Sequence, residues 1–197
     1  MIIGHLPAGY IASTLLFPRF EVPGLARKAF LAAGMLGAVA PDLDMFYFHL
    51  IDHRAHSHHS YVSHFPVVWL TLLSLSSLWH RQATNPARPA LAVIFTLNGF
   101  IHMFLDYIAG NIHWLAPFVN EPFSLFEVAA THQPWWLNFI LHRTFGLEIA
   151  IVLWAAWLWR RERPGYREPG RALWLPGLEV QMDAWESRVK GLLRRGW

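Results

Sequence analysis

The stretch NGFIHMFLDY, residues 98–107, decides how this sequence is interpreted, because it places ionisable side chains inside an apolar helix. It lies in an apolar run near 90–109, which matches the roughly 20 residues that cross a bilayer core. Asn98, His102 and Asp106 are spaced by four and therefore share one helix face. A buried Asp costs about 2.5–3.5 kcal/mol even on a lenient insertion scale, so Asp106 needs a partner. For His102 and Asp106 we favour a metal site, and for Asn98 a hydrogen bond that joins helices.

The composition indicates a membrane protein. Hydrophobic residues make up 54% of the 197 and charged residues only 15%, against about 25% in soluble domains. The 11 Trp residues suit membrane–water interfaces. Cys is absent, so a bound metal must be held by nitrogen and oxygen ligands.

Four further apolar stretches lie near 2–17, 29–40, 62–79 and 145–159. We therefore predict an all-α, polytopic transmembrane helix bundle with four or five membrane segments. The stretch 29–40 is too short to span alone and stops at Pro41-Asp42. It is either a half-helix or a helix that resumes through 45–51, and irregular backbone there needs a packed or wet surrounding.

The basic residues predict the orientation of the chain. Of the 16 Lys and Arg residues, 14 lie in segments 18–28 and 80–89 and in the tail from 160. With five crossings these segments lie on one side, which the positive-inside rule makes cytoplasmic. The sequence pI of about 9.6 therefore reflects topology, and no nucleic-acid partner is expected. We predict an inner-membrane protein with a cytoplasmic C-terminus.

Three regions are predicted along the chain. Residues 1–160 form a membrane-embedded domain, and residues 161–177 form a basic Pro/Gly linker. Residues 178–197 form a cytoplasmic amphipathic helix that lies on the inner leaflet or packs against a partner or the bundle. Its apolar positions recur at helical spacing: Leu178, Met182, Trp185, Val189 and Leu192.

The same topology gathers polar residues at the outer end of the bundle. Carboxylates such as Asp42 and Asp44 are hard ligands for Mg, Mn or Zn, and each could instead cap a helix. Imidazole is the commonest ligand near neutral pH. Arg54 could clamp a phosphate or carboxylate, or pair with one of these carboxylates. The residues that fall at this end are His5, Asp42, Asp44, His53, Arg54, His56, His58, His59, His102 and Asp106.

Four of these motifs together resemble the YdjM-like family of bacterial membrane-bound, metal-dependent hydrolases. They are Gly4-His5, Gly37-x-x-x-Pro41-Asp42-Leu43-Asp44, His53-Arg54-x-x-Ser57-His58 and His102-x-x-x-Asp106. The resemblance covers residues 1–160. This chain has His59 where the family pattern has Ser, so either His58 or His59 could be the ligand.

The resemblance implies a metal-dependent hydrolase, and depth in the membrane favours an ester or phosphoester substrate that is lipid-like. We expect membrane lipids as partners and zinc as the metal, as one or two ions, with Mn or Mg as alternatives. Asp42 or Asp44 would be the general base, and Arg54 would contact substrate. His64 also falls at the outer end; it and His49 could be ligands, groups behind the ligands or interface residues, and we favour the last. The predicted metal ligands are His5, Asp42, Asp44, His53, His58, His102 and Asp106.

Two other functions remain open at this point. A metal or ion transporter would need polar residues through the whole depth of the bundle, and the inner halves of the segments hold few. A non-enzymatic metal-binding protein would need saturated ligands and no pocket. The sequence leaves the substrate, the oligomeric state and the pathway open.

Overall fold

The fold is known from a computed structural model that describes residues 1–20 and 22–162. This part of the chain is helical, and its only β-type pairing is an isolated bridge between Ile112 and Phe123. The predicted all-α class is thereby confirmed for the described residues. Their helices are α1 His5–Leu16, α2 Arg27–Val39, α3 Asp44–Leu50, α4 Pro66–Gln82, α5 Ala87–Tyr107, α6 Trp136–Ile140 and α7 Phe145–Arg161.

Helix α5 forms the centre of the bundle, with α1, α2 and α4 packed around it. Small residues let these helices approach closely, as in membrane bundles generally. A Cβ at Gly37 of α2 would lie 2.0 Å from the backbone oxygen of Phe95, and one at Gly99 would lie 2.0 Å from the Trp69 ring. The backbones of α2 and α5 therefore touch at a point only glycine allows.

The chain breaks between α2 and α3, where the sequence left two alternatives. Helix α2 ends at Val39, a short 3₁₀ turn spans Pro41–Leu43, and α3 resumes at Asp44 with a bend of 55°. Proline lacks the N–H that would continue the α2 hydrogen-bond ladder, which accounts for the break. The resumed helix is the arrangement found, and the turn at the break carries Asp42, whose side chain is partly exposed.

Membrane-spanning length is clear for one helix. Among the described residues, α5 alone is long and apolar enough to cross a membrane, and the bent α2–α3 pair adds a second span if it counts as one. The 12 residues of α1 rise only about 18 Å, against a hydrocarbon core of about 30 Å. Helices α4 and α7 have 17 residues each and rise about 26 Å. The predicted bundle of four or five spans is therefore not confirmed.

Large apolar side chains cover the outside of several helices. Leu36 of α2 is 62% exposed, Leu75 of α4 is 59% exposed, and Leu153 of α7 is 63% exposed. A water-soluble monomer rarely displays so many large apolar residues on adjoining helices. These surfaces suit contact with lipid.

The chain divides into two units, Met1–Ala156 and Trp157–Trp197, and the site and cavities below lie in the first. The predicted linker at 161–177 falls outside the described residues except for its first two positions. The predicted amphipathic helix at 178–197 lies wholly outside them.

Candidate metal centre

Four parts of the fold deliver polar side chains to one buried point. His5 opens α1, Asp42 lies in the turn after α2, and His64 lies in the 3₁₀ turn just before α4. His102 and Asp106 come from adjacent turns on the inner face of α5, as their spacing predicted. Apart from the His102 and Asp106 pair on α5, these residues come from separate parts of the sequence. All of them except Asp42 are buried.

Asp106 lies at the middle of this cluster and is 1% exposed. Its Oδ2 lies 2.9 Å from His102 Nε2 and 3.5 Å from His59 Nε2. Its Oδ1 lies 3.1 Å from His5 Nε2 and also against the amino group of Met1. One buried carboxylate therefore faces three imidazoles from three different elements.

Asp42 closes the cluster from the opposite side. Its Oδ1 lies 3.5 Å from both His64 Nε2 and His102 Nε2, and its Oδ2 lies 3.6 Å from His5 Nδ1. His64 Nε2 also lies 3.8 Å from Asp106 Oδ2. Two ligands of a tetrahedral zinc ion, each about 2.0–2.1 Å from the metal, are roughly 3.3 Å apart. These separations therefore fit ligands around an ion better than they fit direct hydrogen bonds.

Several of the converging atoms make the ion-pair contacts given above but no hydrogen bond of normal geometry among the described residues. They are His5 Nε2, His64 Nε2, His102 Nε2 and Asp106 Oδ2, and all are buried. Buried polar atoms are nearly always hydrogen-bonded, so a group of exceptions at one point needs a cause. Asp42, His64, His102 and Asp106 each offer one ligand atom, and these atoms lie within 4.8 Å of one another. A metal ion would satisfy all of them.

Hydrogen bonds behind the imidazoles aim their free nitrogens at the cluster. His102 Nδ1 donates to the backbone oxygen of Ala38 at 2.7 Å, and His64 Nδ1 donates to Asp44 Oδ2 at 2.6 Å. The Ser63 hydroxyl donates to the same Asp44 oxygen at 2.5 Å. Such contacts fix the tautomer of a metal-binding histidine and leave Nε2 as the ligand atom. Asp44, predicted as a ligand, instead contacts His64 from behind.

The two adjacent loop histidines lie at the edge of the cluster. His58, His59 and His64 form a second group that could hold an ion. His59 reaches Asp106, and His58 packs its ring 5.1 Å from that of His64. Burial, together with neighbouring imidazoles, lowers the pKa of His58 to about 4, so its ring is neutral at pH 7. His64 has only Nε2 free, so it can serve one ion and not two.

The remaining predicted residues occupy a tight turn outside both groups. His53 and Arg54 have positive φ values of 48° and 65°, which non-glycine residues rarely adopt. The Asp52 carboxylate accepts the backbone N–H of His56 at 2.9 Å, and its other oxygen lies 2.9 Å from His56 Nδ1. These hydrogen bonds lower the pKa of Asp52 to about 2. His53 is exposed and outside the cluster, while Arg54 lines the cavity described next.

Two neighbouring cavities, called here the outer and the inner one, lie beside the cluster and share lining residues. The outer one has a volume of about 600 Å³ and is bordered by Arg54 and by aromatic side chains that include Phe48 and Phe126. The inner one has a volume of about 250 Å³ and is bordered by Asp42 and Asp106. Both cavities are lined by Met45, His58, His59, Trp135 and Phe139.

Sequence reasoning missed His64, which it interpreted as an interface residue. The side chain is fully buried and its ring nitrogens face Asp42, Asp44 and Asp106. Its position at the start of an apolar stretch hid it. The one available signal was that it extends the histidine-rich run by five residues beyond His59. Whether any of these residues binds metal stays a prediction.

The fold and the cluster define a class, a helical bundle with a buried centre of histidine and aspartate side chains that could hold a metal. The chain belongs to the YdjM inner membrane protein family, whose model matches residues 1–166. The resemblance seen in the sequence motifs is thereby confirmed, as is the placement in the inner membrane. Neither curated proteins nor solved structures gave a match to the chain.

Proposed function

We propose that this protein is a membrane-bound, metal-dependent hydrolase. The observation that carries the proposal is the convergence of buried ligand atoms of His64, His102 and Asp106 within 4.8 Å of one another, beside a cavity that Asp42 and Asp106 border. Structural zinc sites are closed by four protein ligands, whereas catalytic sites keep a position open to water or substrate. A cavity bordered by two of the candidate carboxylates fits the catalytic kind.

The donor set favours zinc. Asp42, His64, His102 and Asp106 offer two imidazole nitrogens and two carboxylate oxygens. Imidazole ligands suit zinc, whereas sites for Mg or Mn are dominated by oxygen, so these two ions are the alternatives. His5 and His59 contact Asp106 from outside this group, which leaves room in the proposal for one ion or two.

The residues around the inner cavity have distinct parts in the proposed reaction. A bound divalent ion lowers the pKa of its water toward about 7 and so supplies hydroxide. Asp42 is the most exposed carboxylate of the cluster, with 35% of its side chain accessible, so we assign it the role of general base and leave His64, His102 and Asp106 as the three protein ligands of the ion. Asp44 is committed to His64 and Ser63, so we assign it the orientation of His64.

The cavities support an amphiphilic ester or phosphoester as substrate. A volume of about 600 Å³ is in the range of ordinary ligand pockets, and part of its wall is aromatic, from Phe48, Phe126, Trp135 and Phe139. Arg54 is placed to bind an anionic group, because a guanidinium pairs well with phosphate or carboxylate. We propose that the site faces outward in a multi-pass bundle whose C-terminus is cytoplasmic, which gives it access to membrane lipids.

The test begins with metal content and ends with turnover. The full chain is purified in detergent, its metals are measured, and hydrolysis is followed with p-nitrophenyl phosphate, a long-chain p-nitrophenyl ester and phospholipid vesicles. We expect bound zinc, turnover that a chelator removes and zinc restores, and neither in the His102→Ala, Asp106→Ala double variant. Bound metal with no turnover of any substrate would favour a non-enzymatic metal-binding protein. Absence of metal from a folded parent protein would overturn the proposal.

A further inference from the structure

A buried carboxylate in α7 holds the segment that precedes α1. Glu148 is 4% exposed and lies in the first turn of α7. Its Oε2 accepts the backbone N–H groups of Ile2, Ile3 and Gly4 at 2.8, 2.6 and 3.1 Å. Three amide donors on one carboxylate oxygen, from a segment 144 to 146 residues away, is an unusual concentration of hydrogen bonds.

These amides have no other obvious acceptor. The first backbone N–H groups of a helix lack partners within the helix and need an external acceptor when buried. Helix α1 begins at His5, and its N-cap residue Gly4 has no side chain that could supply one. A carboxylate at a helix N-terminus also interacts favourably with the helix dipole. Glu148 therefore holds from another helix the segment that leads into α1, and of the three amides it binds that of Gly4 lies at the helix end.

The clamped segment ends at the candidate metal centre. His5 is the residue after Gly4, its ring stacks on that of His102 at 3.7 Å, and its Nε2 lies 3.1 Å from Asp106. Met1 and Ile2 form part of the wall of the inner cavity. Glu148 therefore fixes the backbone position that sets the direction of the His5 imidazole.

We propose that Glu148 is a positioning residue, which clamps the backbone of residues 2–4 so that His5 faces Asp106 at the metal centre. The proposal rests on the proposed function for its effect on metal binding. The clamp itself is a property of the protein backbone and can be measured without metal. These two readouts separate failure of the clamp from failure of the metal site.

The first measurement is amide hydrogen exchange of residues 2–8 in the metal-free, full-length protein in detergent. We expect Glu148→Ala to accelerate exchange there by at least about tenfold, since a lost hydrogen bond exposes the amides. Glu148→Gln keeps an acceptor oxygen and should retain most of the protection. Ser76→Ala is the control, because it removes a buried hydrogen bond to Thr96 between α4 and α5 instead. Unchanged exchange in Glu148→Ala would overturn the proposal whatever the metal content.

The second measurement is a double-mutant cycle on zinc affinity, measured by competition with a chelator. We expect Glu148→Ala to weaken zinc binding up to about tenfold, because it displaces His5, whose imidazole contacts the ligand Asp106 from behind. In a His5→Ala background the same change should cost less than about twofold, because its effect passes through His5. Equal losses in both backgrounds would contradict positioning through His5. If the parent binds no zinc, the proposed function fails and the exchange result alone decides the clamp.

Discussion

Both halves of α5 are buried, but the polar side chains of the two halves differ in their hydrogen bonding. In the N-terminal half, Ala90 and Ile94 are fully buried, and the Thr96 hydroxyl is hydrogen-bonded to that of Ser76 at 2.9 Å. In the C-terminal half, His102 and Asp106 are equally buried, but one polar atom on each has no hydrogen-bond partner among the described residues. The first half is a packing surface, and the second carries two of the candidate metal ligands.

Asn98 lies between the two halves of α5 and is buried like both. Its amide nitrogen donates to the backbone oxygen of Ile94 at 2.9 Å and to the Ser13 hydroxyl at 3.4 Å. This is the contact between helices that the sequence favoured for it. Asn98 Oδ1 also has no hydrogen-bond partner among the described residues, so neither burial, spacing along α5 nor one unsatisfied atom separates a packing residue from a site residue. The convergence of the ligand atoms of Asp42, His64, His102 and Asp106 within 4.8 Å does separate them.

The largest effect should come from removing the α5 pair. The His102→Ala, Asp106→Ala double variant should lose essentially all bound metal, because it removes two of the four converging ligands. Thr96→Val is the matched control, since it alters a buried polar residue in the other half of the same helix and should keep the metal. Elemental analysis of both folded variants decides, and full metal in the double variant would erase the contrast between the halves.

A smaller loss is expected from Asp44→Asn. The neutral side-chain amide of the variant accepts the His64 Nδ1–H more weakly than the charged carboxylate does, so the His64 ring is held less firmly. All four converging ligands remain. We expect zinc affinity to fall about 10–100-fold without loss of the site. Chelator competition measures it, with Asp52→Asn as the control for removing a carboxylate at the same end. Complete loss of metal would instead make Asp44 a direct ligand.

The contact between α2 and the N-terminal half of α5 should be sensitive to added side-chain volume and not to a change in charge. Gly37→Ala would drive its Cβ to 2.0 Å from the backbone oxygen of Phe95, so α2 and α5 must separate. We expect a loss of about 1–3 kcal/mol in stability, as for other overpacked cores. Gly146→Ala is the control, because nothing lies within 4 Å of its added Cβ. Thermal unfolding in detergent measures the stability of both variants. Equal unfolding midpoints would show that α2 and α5 can separate at Gly37 without loss of stability.

The smallest effect concerns protonation at the edge of the cluster. The pKa of His58 is lowered to about 4 from an ordinary value of 6.5, first by burial and then by His59 and His64. Because the folded-state pKa lies below the unfolded one, this group favours folding above about pH 6.5 and loses that contribution as pH falls toward 4. An NMR titration of the metal-free protein should give this pKa, and His59→Ala should raise it. An unshifted value in the parent would contradict the buried position of His58.

Much of the fold follows from local pattern. All five apolar stretches are helices in the structure, because the spacing of apolar residues and the breaks at proline act within a few residues. Their ability to span a membrane was less predictable, since helix ends depend on caps and bends outside the apolar runs. Helix α1, for example, begins at His5, so three residues of its apolar stretch lie outside it.

The sequence by itself determined that His102 and Asp106 face one way and that Asp42 follows a helix break, because helix period and proline chemistry are local. Only the tertiary structure decided that His59 and His64 reach Asp106 while His53 does not. It likewise decided that Asp44 supports His64 and that Glu148 binds the segment before α1. These outcomes depend on the path of a connecting loop and on contacts more than a hundred residues apart, which no local pattern of side chains encodes.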